Sequence, residues 1–327
     1  MKAVLCRELG SEDLLTVDDL EEPECGDHQV LIQVCAAGVN FPDVLMIRGL
    51  YQFKPDLPFT PGSEVAGDVI AVGAAVKNIH VGQRVCALTG LGAFAEKVAV
   101  DTSILMVSPI PPNMDYITAS AFTMTYNTAY FGLKQRGQLC SGETLLVLGA
   151  AGGIGSAAVE LGKAMGATVI AAASSDKKLA LAKELGADHL INYSETNLKH
   201  AVKDITHGNG ANVVYDPVGG DLFHQALAGL AWRGRYLVMG YASGEIPTLA
   251  VNRLLLKCAS AVGVAWGEFS VREPGVNAEN FKELLLLYER GKIKPRVSQV
   301  FPLEKTAEAL GILSKRKAMG KVVVQVS

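Results

Sequence analysis

The sequence predicts an α/β chain in which a parallel, doubly wound sheet is inserted into a β-rich domain. From Glu143 onward, strand-like and helix-like runs alternate about four times, the pattern of a sheet covered by helices on both faces. Within that region Leu145-Leu146-Val147-Leu148 is an unbroken apolar run, as a strand buried on both faces must be. Ahead of it, residues 2–100 form short β-rich runs punctuated by Gly and Pro.

In order along the chain, Val30, Ile32 and Val34 alternate with Leu31, Gln33 and Cys35, the period of a half-buried strand. Further strands are expected over 65–72, 81–88 and 94–100, with turns at Pro23, Gly26, Pro42, Pro55, Pro58, Pro61, Gly62, Gly73 and Gly82. After Pro109, Pro111 and Pro112 a helix is expected over 114–136. The alternating region then places strands at 144–148, 168–173, 189–192, 212–216 and 235–240. Helices are expected between them at 153–165, 177–185, 197–206 and 222–230. The tail reads as helix 278–290, strand 297–302, helix 304–314 and strand 321–326. That tail is expected to rejoin the first domain, which gives segments 1–125, 126–262 and 263–327.

At 327 residues, 49% hydrophobic and 19% charged, the chain has the size of about two domains and is too apolar for disorder. Thirty Lys and Arg against 33 Asp and Glu leave a net charge of −3, so a nucleic-acid partner gains no electrostatic support. Cys6, Cys25, Cys35, Cys86, Cys140 and Cys258 are scattered without a C-x-x-C pair and read as reduced thiols. No apolar run approaches the ~18 residues of a bilayer span, and residues 1–10 lack a secretory pattern. A cytoplasmic protein is therefore expected.

The strongest local signal follows the buried strand: Gly149-Ala150-Ala151-Gly152-Gly153-Ile154-Gly155 leads into an Ala-rich helix. Inside a β-α-β unit this is the Rossmann dinucleotide fingerprint in its A-x-G-x-x-G form. Gly152 lets the backbone approach a pyrophosphate, Gly155 lets the helix pack close to the strand, and the helix N-terminus offers oriented N–H groups. Taken alone, the same residues also make an ordinary strand-to-helix turn. An NAD site places a carboxylate ~20 residues after the first glycine. Here the second strand ends in Ser174 and Ser175, Asp176 comes late, and Lys178 lies one helical turn on. Hydroxyls and a cation suit a 2′-phosphate that a carboxylate would repel, so NADP(H) is expected. Lys178 by itself is equally a solvated helix-surface lysine.

There is no G-x-x-x-x-G-K-[ST] loop, no G-x-S-x-G elbow and no metal-ligand spacing among the six histidines. A nucleotide-dependent redox enzyme remains.

Longer stretches then carry a family resemblance: residues 36–43 (AAGVNFPD), 48–51 (RGLY), 58–64 (PFTPGSE), 150–155, 191–193 (INY), 214–219 (VYDPVG) and 320–323 (GKVV). Across essentially its whole length the chain resembles the zinc-free medium-chain dehydrogenase/reductases, most closely the quinone oxidoreductases of the zeta-crystallin type. The resemblance implies a Rossmann domain inserted in a β-rich, GroES-like catalytic domain. It also implies NADPH-dependent reduction of a small-molecule acceptor such as a quinone, and a homodimer. In the zinc enzymes of the superfamily Cys, His and Cys hold the metal; the matching places here look like Asn40, Ser63 and Met124, which are poor zinc ligands.

Carried over residue by residue, Ala151, Gly152, Gly153 and Ile154 resemble the pyrophosphate turn, and Ser174, Ser175, Lys178 and Tyr193 the 2′-phosphate group. Tyr193 also reads as a plain strand-end aromatic. Asn40 and Thr128 resemble residues beside the nicotinamide, Gly240, Tyr241 and Val264 residues lining the same cleft, and Gly320 and Lys321 the segment that closes over the cofactor. Leu45 departs from the family, which commonly has tyrosine there. Tyr51 matches a proton-donating tyrosine of the related enoyl thioester reductases, although a lone tyrosine is more often structural. Two other functions stay open: reduction of α,β-unsaturated carbonyls, and NADPH binding with a structural or regulatory role. The apolar run 259–264 is expected at an exposed sheet edge, where a second copy would pair.

Overall fold

The computed structural model describes residues Met1–Ser327. Its first strand, β1 (Lys2–Leu5), pairs antiparallel with β2 (Thr16–Asp19). The alternating run becomes the long strand β3 (Gln29–Val39): Val30, Ile32 and Val34 are buried and their neighbours only half-buried. Each such buried aliphatic side chain contributes ~1.5–3 kcal/mol. A short helix, α1 (Phe41–Ile47), follows where the sequence showed only a proline; Pro42 lies in its first turn, where a missing N–H costs nothing.

Three strands come next, β4 (Glu64–Val72), β5 (Arg84–Leu88) and β6 (Lys97–Asp101), and then β7 (Val107–Pro109). Two begin three residues later than expected. Residues 81–83 are spent on a turn through Gly82, and Ala95 makes only an isolated bridge to Ala3.

The helix expected over 114–136 is broken. Asp115 caps α2 (Tyr116–Ser120), a new helix α3 (Thr123–Phe131) starts beyond Phe122, and Gly132–Arg136 widens into a π-turn closed by Gly137 N–H on Gly132 O at 2.7 Å.

The second region alternates as expected: β8 (Thr144–Leu148), α4 (Gly153–Ala164), β9 (Thr168–Ala173), α5 (Asp176–Glu184), β10 (His189–Asn192), α6 (Leu198–Ile205), β11 (Ala211–Asp216), α7 (Asp221–Gly229) and β12 (Leu230–Val238). After α8 (Asn252–Leu255), β13 (Ser260–Gly263) completes a parallel sheet of order β10-β9-β8-β11-β12-β13. Leu145, Leu146, Val147 and Leu148 are all fully buried in it.

The chain does not leave this unit at 263. Helices α9 (Trp266–Arg272) and α10 (Pro274–Glu289) stay with it, because Phe269 stacks on Phe131 and Asn280 accepts from Lys134 and Gln135. The second unit is thus Thr125–Lys294, and the first is Met1–Met124 with Pro295–Ser327. The returning segment adds β14 (Val297–Pro302), α11 (Thr306–Ser314) and β15 (Lys321–Gln325), with β15 antiparallel to β3. No helix is long and apolar enough to cross a membrane.

Candidate cofactor and active site

In the second unit the glycine-rich turn takes the shape its residues allow. Gly149 adopts φ +58°, Gly152 caps α4, and Ala150 N–H bonds to Ala172 O at 3.2 Å. A side chain at Gly155 would run into the carbonyl oxygen of Gly149. One at Gly152 would meet only that same oxygen, at 3.4 Å, so the backbone there is open to a ligand. Ala151 is buried, while Gly152, Gly153 and Ile154 are half-buried at the start of α4. This is a cradle into which the first-turn N–H groups of α4 point, and it fits a pyrophosphate.

The neighbouring strand ends bring the other expected residues together. Ser174 leaves β9, Ser175 caps α5, and Lys178 Nζ lies 3.3 Å from Ser174 Oγ. Tyr193 N–H bonds to Ala173 O at 3.1 Å, which sets the tyrosine beside the same strand end. Asp176, the nearest acid, accepts from Asn192 Nδ2 at 3.0 Å. The hydroxyls and ammonium fit a 2′-phosphate. Farther along the sheet, Gly240 and exposed Tyr241 follow β12, and Val264 N–H bonds to Val238 O at 3.1 Å. Thr128 is half-buried on α3.

The second unit also holds a residue the sequence reading passed over. Glu160, on α4, accepts from Tyr126 Oη and from Lys294 N–H at 2.9 Å, and burial pushes its carboxyl up to about 7.

In the first unit, Asn40 caps α1 and sits in a buried polar network. Its Nδ2 donates to Glu64 Oε1 at 2.8 Å, and its Oδ1 accepts from Lys321 Nζ at 2.7 Å. Lys321 Nζ also donates to Glu64 Oε1 at 2.6 Å and to Val39 O at 3.1 Å. Glu64 Oε2 takes the N–H of Met124 at 2.8 Å. Asp43 closes the network, accepting from Asn40 N–H at 2.8 Å and from Ser63 Oγ at 2.7 Å. Burial pushes Asp43 up to about 6, against the pull of the Ser63 and Asn40 hydrogen bonds.

Lys321 therefore departs from the expectation that it meets the cofactor. It pairs with Val297 of β14 and its ammonium turns inward onto Val39 O, leaving the residue 4% exposed, while Gly320 before it adopts φ +87° beside Arg296 O. Asn40 likewise spends both ends of its amide inside the protein. Tyr51 is half-buried after α1, and burial, then the Asp43 charge, raises its phenol above the usual tyrosine value. In the sequence Glu64 and Asp43 stand out only as acids in apolar surroundings, a signal of buried pairing and not of a motif.

Residues 26–112 match the alcohol dehydrogenase GroES-like domain and residues 153–286 the zinc-binding dehydrogenase family. The chain is 40% identical over 325 residues to the quinone oxidoreductase-like protein 2 homolog of Nematostella vectensis, covering 99% of this chain and 88% of that protein. The chain belongs to the quinone oxidoreductase family of the medium-chain dehydrogenase/reductases. Among solved structures, the Escherichia coli quinone oxidoreductase complexed with NADPH superposes with a TM-score of 0.93 at 29% identity, over 99% of this chain and 100% of that one. The CurK enoyl reductase superposes at 0.90 with 28% identity, over 100% of this chain and 99% of that one.

Zinc is named in one matched family, but the residues of this quinone oxidoreductase family member do not fit it. No three His, Cys, Asp or Glu side chains gather as a ligand set. At the matching places, Asn40 and Ser63 donate to carboxylates instead, and Met124 offers a backbone N–H.

Proposed function

We propose that this protein is a cytoplasmic NADPH:quinone oxidoreductase whose hydride transfer needs no metal. The observation that carries the proposal is the end of β9, where Ser174 and Lys178 stand 3.3 Å apart beside the Gly152 cradle. NADPH, when bound, supplies the hydride. The N–H groups at the start of α4 would hold its pyrophosphate, and Ser174, Lys178 and Tyr193 its 2′-phosphate.

A quinone that accepts hydride becomes a resonance-stabilised oxyanion, and one proton from solvent completes the hydroquinone. The protein then has chiefly to orient the reactants and exclude water. That demand agrees with a site whose acids are committed to internal hydrogen bonds. The test is loss of NADPH absorbance with a panel of ortho- and para-quinones run beside enones and short enoyl thioesters. Quinone turnover is expected; NADPH binding without turnover on any acceptor supports a structural or regulatory role instead.

Tyr51 favours a second reading, reduction of α,β-unsaturated carbonyls. Its half-buried phenol, like any tyrosine's, carries its proton at neutral pH and so has one to give to an enolate. If it is that acid, Tyr51→Phe lowers enone turnover by about 10²-fold or more and leaves quinone turnover within about twofold. Unchanged enone turnover removes the acid role.

A homodimer is part of the proposal. β13 is an edge strand, and Trp232 on the neighbouring β12 and Val251, Leu255 and Leu256 in the segment leading into β13 are 64–77% exposed, more apolar surface than an edge facing water normally carries. Sedimentation velocity is expected to give twice the 34.6 kDa chain mass. A monomer at all concentrations contradicts it.

A further inference from the structure

Asp216, the last residue of β11, is 3% exposed and takes no part in the site as read from sequence. Its Oδ1 accepts the backbone N–H groups of Val218 and Gly219 at 2.7 and 2.9 Å, and its Oδ2 accepts Tyr236 Oη at 2.6 Å. A carboxylate so satisfied fixes the backbone that donates to it, because each donor left without it would be buried and unpaired. Here that backbone is the segment 216–220, turned through Gly219 at φ +67° and Gly220 at φ +59°.

The segment braces two of the expected cofactor turns. On one side, the Val218 side chain lies 3.0 Å from where a Cβ on Gly149 would stand. On the other, Pro217 O and Val218 O accept the N–H groups of Ala242 and Ser243 at 3.0 and 2.9 Å, and Gly219 approaches the Tyr241 ring. The strand order β9-β8-β11-β12 makes the β8/β11 boundary the point where connections diverge, and ligands of open parallel sheets bind outside the strand carboxyl ends there.

We infer that Asp216, held by Tyr236, is a positioning residue that sets the spacing between the Gly149 turn and the Gly240–Tyr241 turn, and through it the seat of the cofactor's nicotinamide half. The inference rests on the NADPH reading above. It separates the two halves of the cofactor, since Ser174 and Lys178 lie on the far side of β8, beyond the brace.

Wild type, Asp216→Asn and Tyr236→Phe are to be titrated with NADPH, followed by the emission of the reduced nicotinamide, and with adenosine 2′,5′-bisphosphate, which probes only the adenosine end. Asp216→Asn is expected to weaken NADPH about tenfold, the worth of one hydrogen bond to a charged group, and to dull the emission change. Adenosine 2′,5′-bisphosphate should stay within about twofold, since Lys178 and Ser174 are untouched. Tyr236→Phe should act in the same direction and more weakly, and it keeps the test alive if Asp216→Asn does not fold. Equal losses for both ligands, or unchanged NADPH binding in both variants, overturn the inference. Wild type that binds neither ligand overturns the cofactor reading instead.

Discussion

Gly155→Ala is expected to weaken NADPH binding by about a hundredfold and to destabilise the protein. The new methyl group meets the Gly149 carbonyl oxygen, and also stands 2.9 Å from Gly149 C and 3.0 Å from Ala150 Cα. All three are backbone atoms at the end of β8, so relief comes only by lifting α4 off the strand. Such overpacking costs ~1–3 kcal/mol, and the same movement pulls the first-turn N–H groups away from the cradle. A loss of about 3 kcal/mol in binding is roughly a hundredfold in Kd.

Gly152→Ala is the contrast. Gly152 has φ −78°, which alanine adopts freely, and its Cβ would meet protein only at 3.4 Å. Stability should therefore stay within about 0.5 kcal/mol, as for a site without buried clashes, while the methyl group fills the approach of the pyrophosphate and binding falls. Thermal unfolding beside NADPH titration checks both. Equal stability losses in the two variants would contradict the packing argument.

Lys321→Met is expected to have the largest effect on stability. The ammonium is shared among Glu64, Asn40 and Val39 O, with the lysine and glutamate side chains 5% and 0% exposed. Removing one partner of a buried pair leaves the other charged in a poor solvent, typically ~3–5 kcal/mol. Glu64→Gln in the same chain removes that stranded charge while keeping hydrogen-bonding atoms for Asn40 and the Met124 N–H. The double variant should thus be more stable than Lys321→Met alone, by urea denaturation. Simple additivity of the two single losses would mean the pair is not coupled.

The parallel sheet was legible because its signal is periodic and local: an apolar run at 145–148, a glycine turn and alternating elements set β8, β9 and β10 at the residues expected. The contact between Ser174 and Lys178 was legible for the same reason, since the two lie four residues apart and meet by spacing alone. What local pattern does not encode was missed. α1 begins at a single proline, Pro42, that reads as a turn, and the break between α2 and α3 falls where Glu64, from a distant strand, takes the Met124 N–H.

The first-unit network joins residues 40, 43, 63, 64 and 321, so its existence depends on β15 returning beside β3. A terminal Gly-Lys gives no hint that its ammonium turns inward. The same holds for the end of the second unit, where Phe131 against Phe269 and Lys134 against Glu283 retain helices α9 and α10 through side-chain contacts far apart in sequence.

The measurement that bears most directly on the central claim is an equilibrium titration of the purified protein with NADPH and with NADH, repeated on Lys178→Ala. NADPH is expected to bind tighter by about tenfold or more, as one or two charge-assisted hydrogen bonds to the 2′-phosphate would give, with a preference that shrinks toward unity in the variant. Equal affinities for the two nucleotides in the wild-type protein would contradict it.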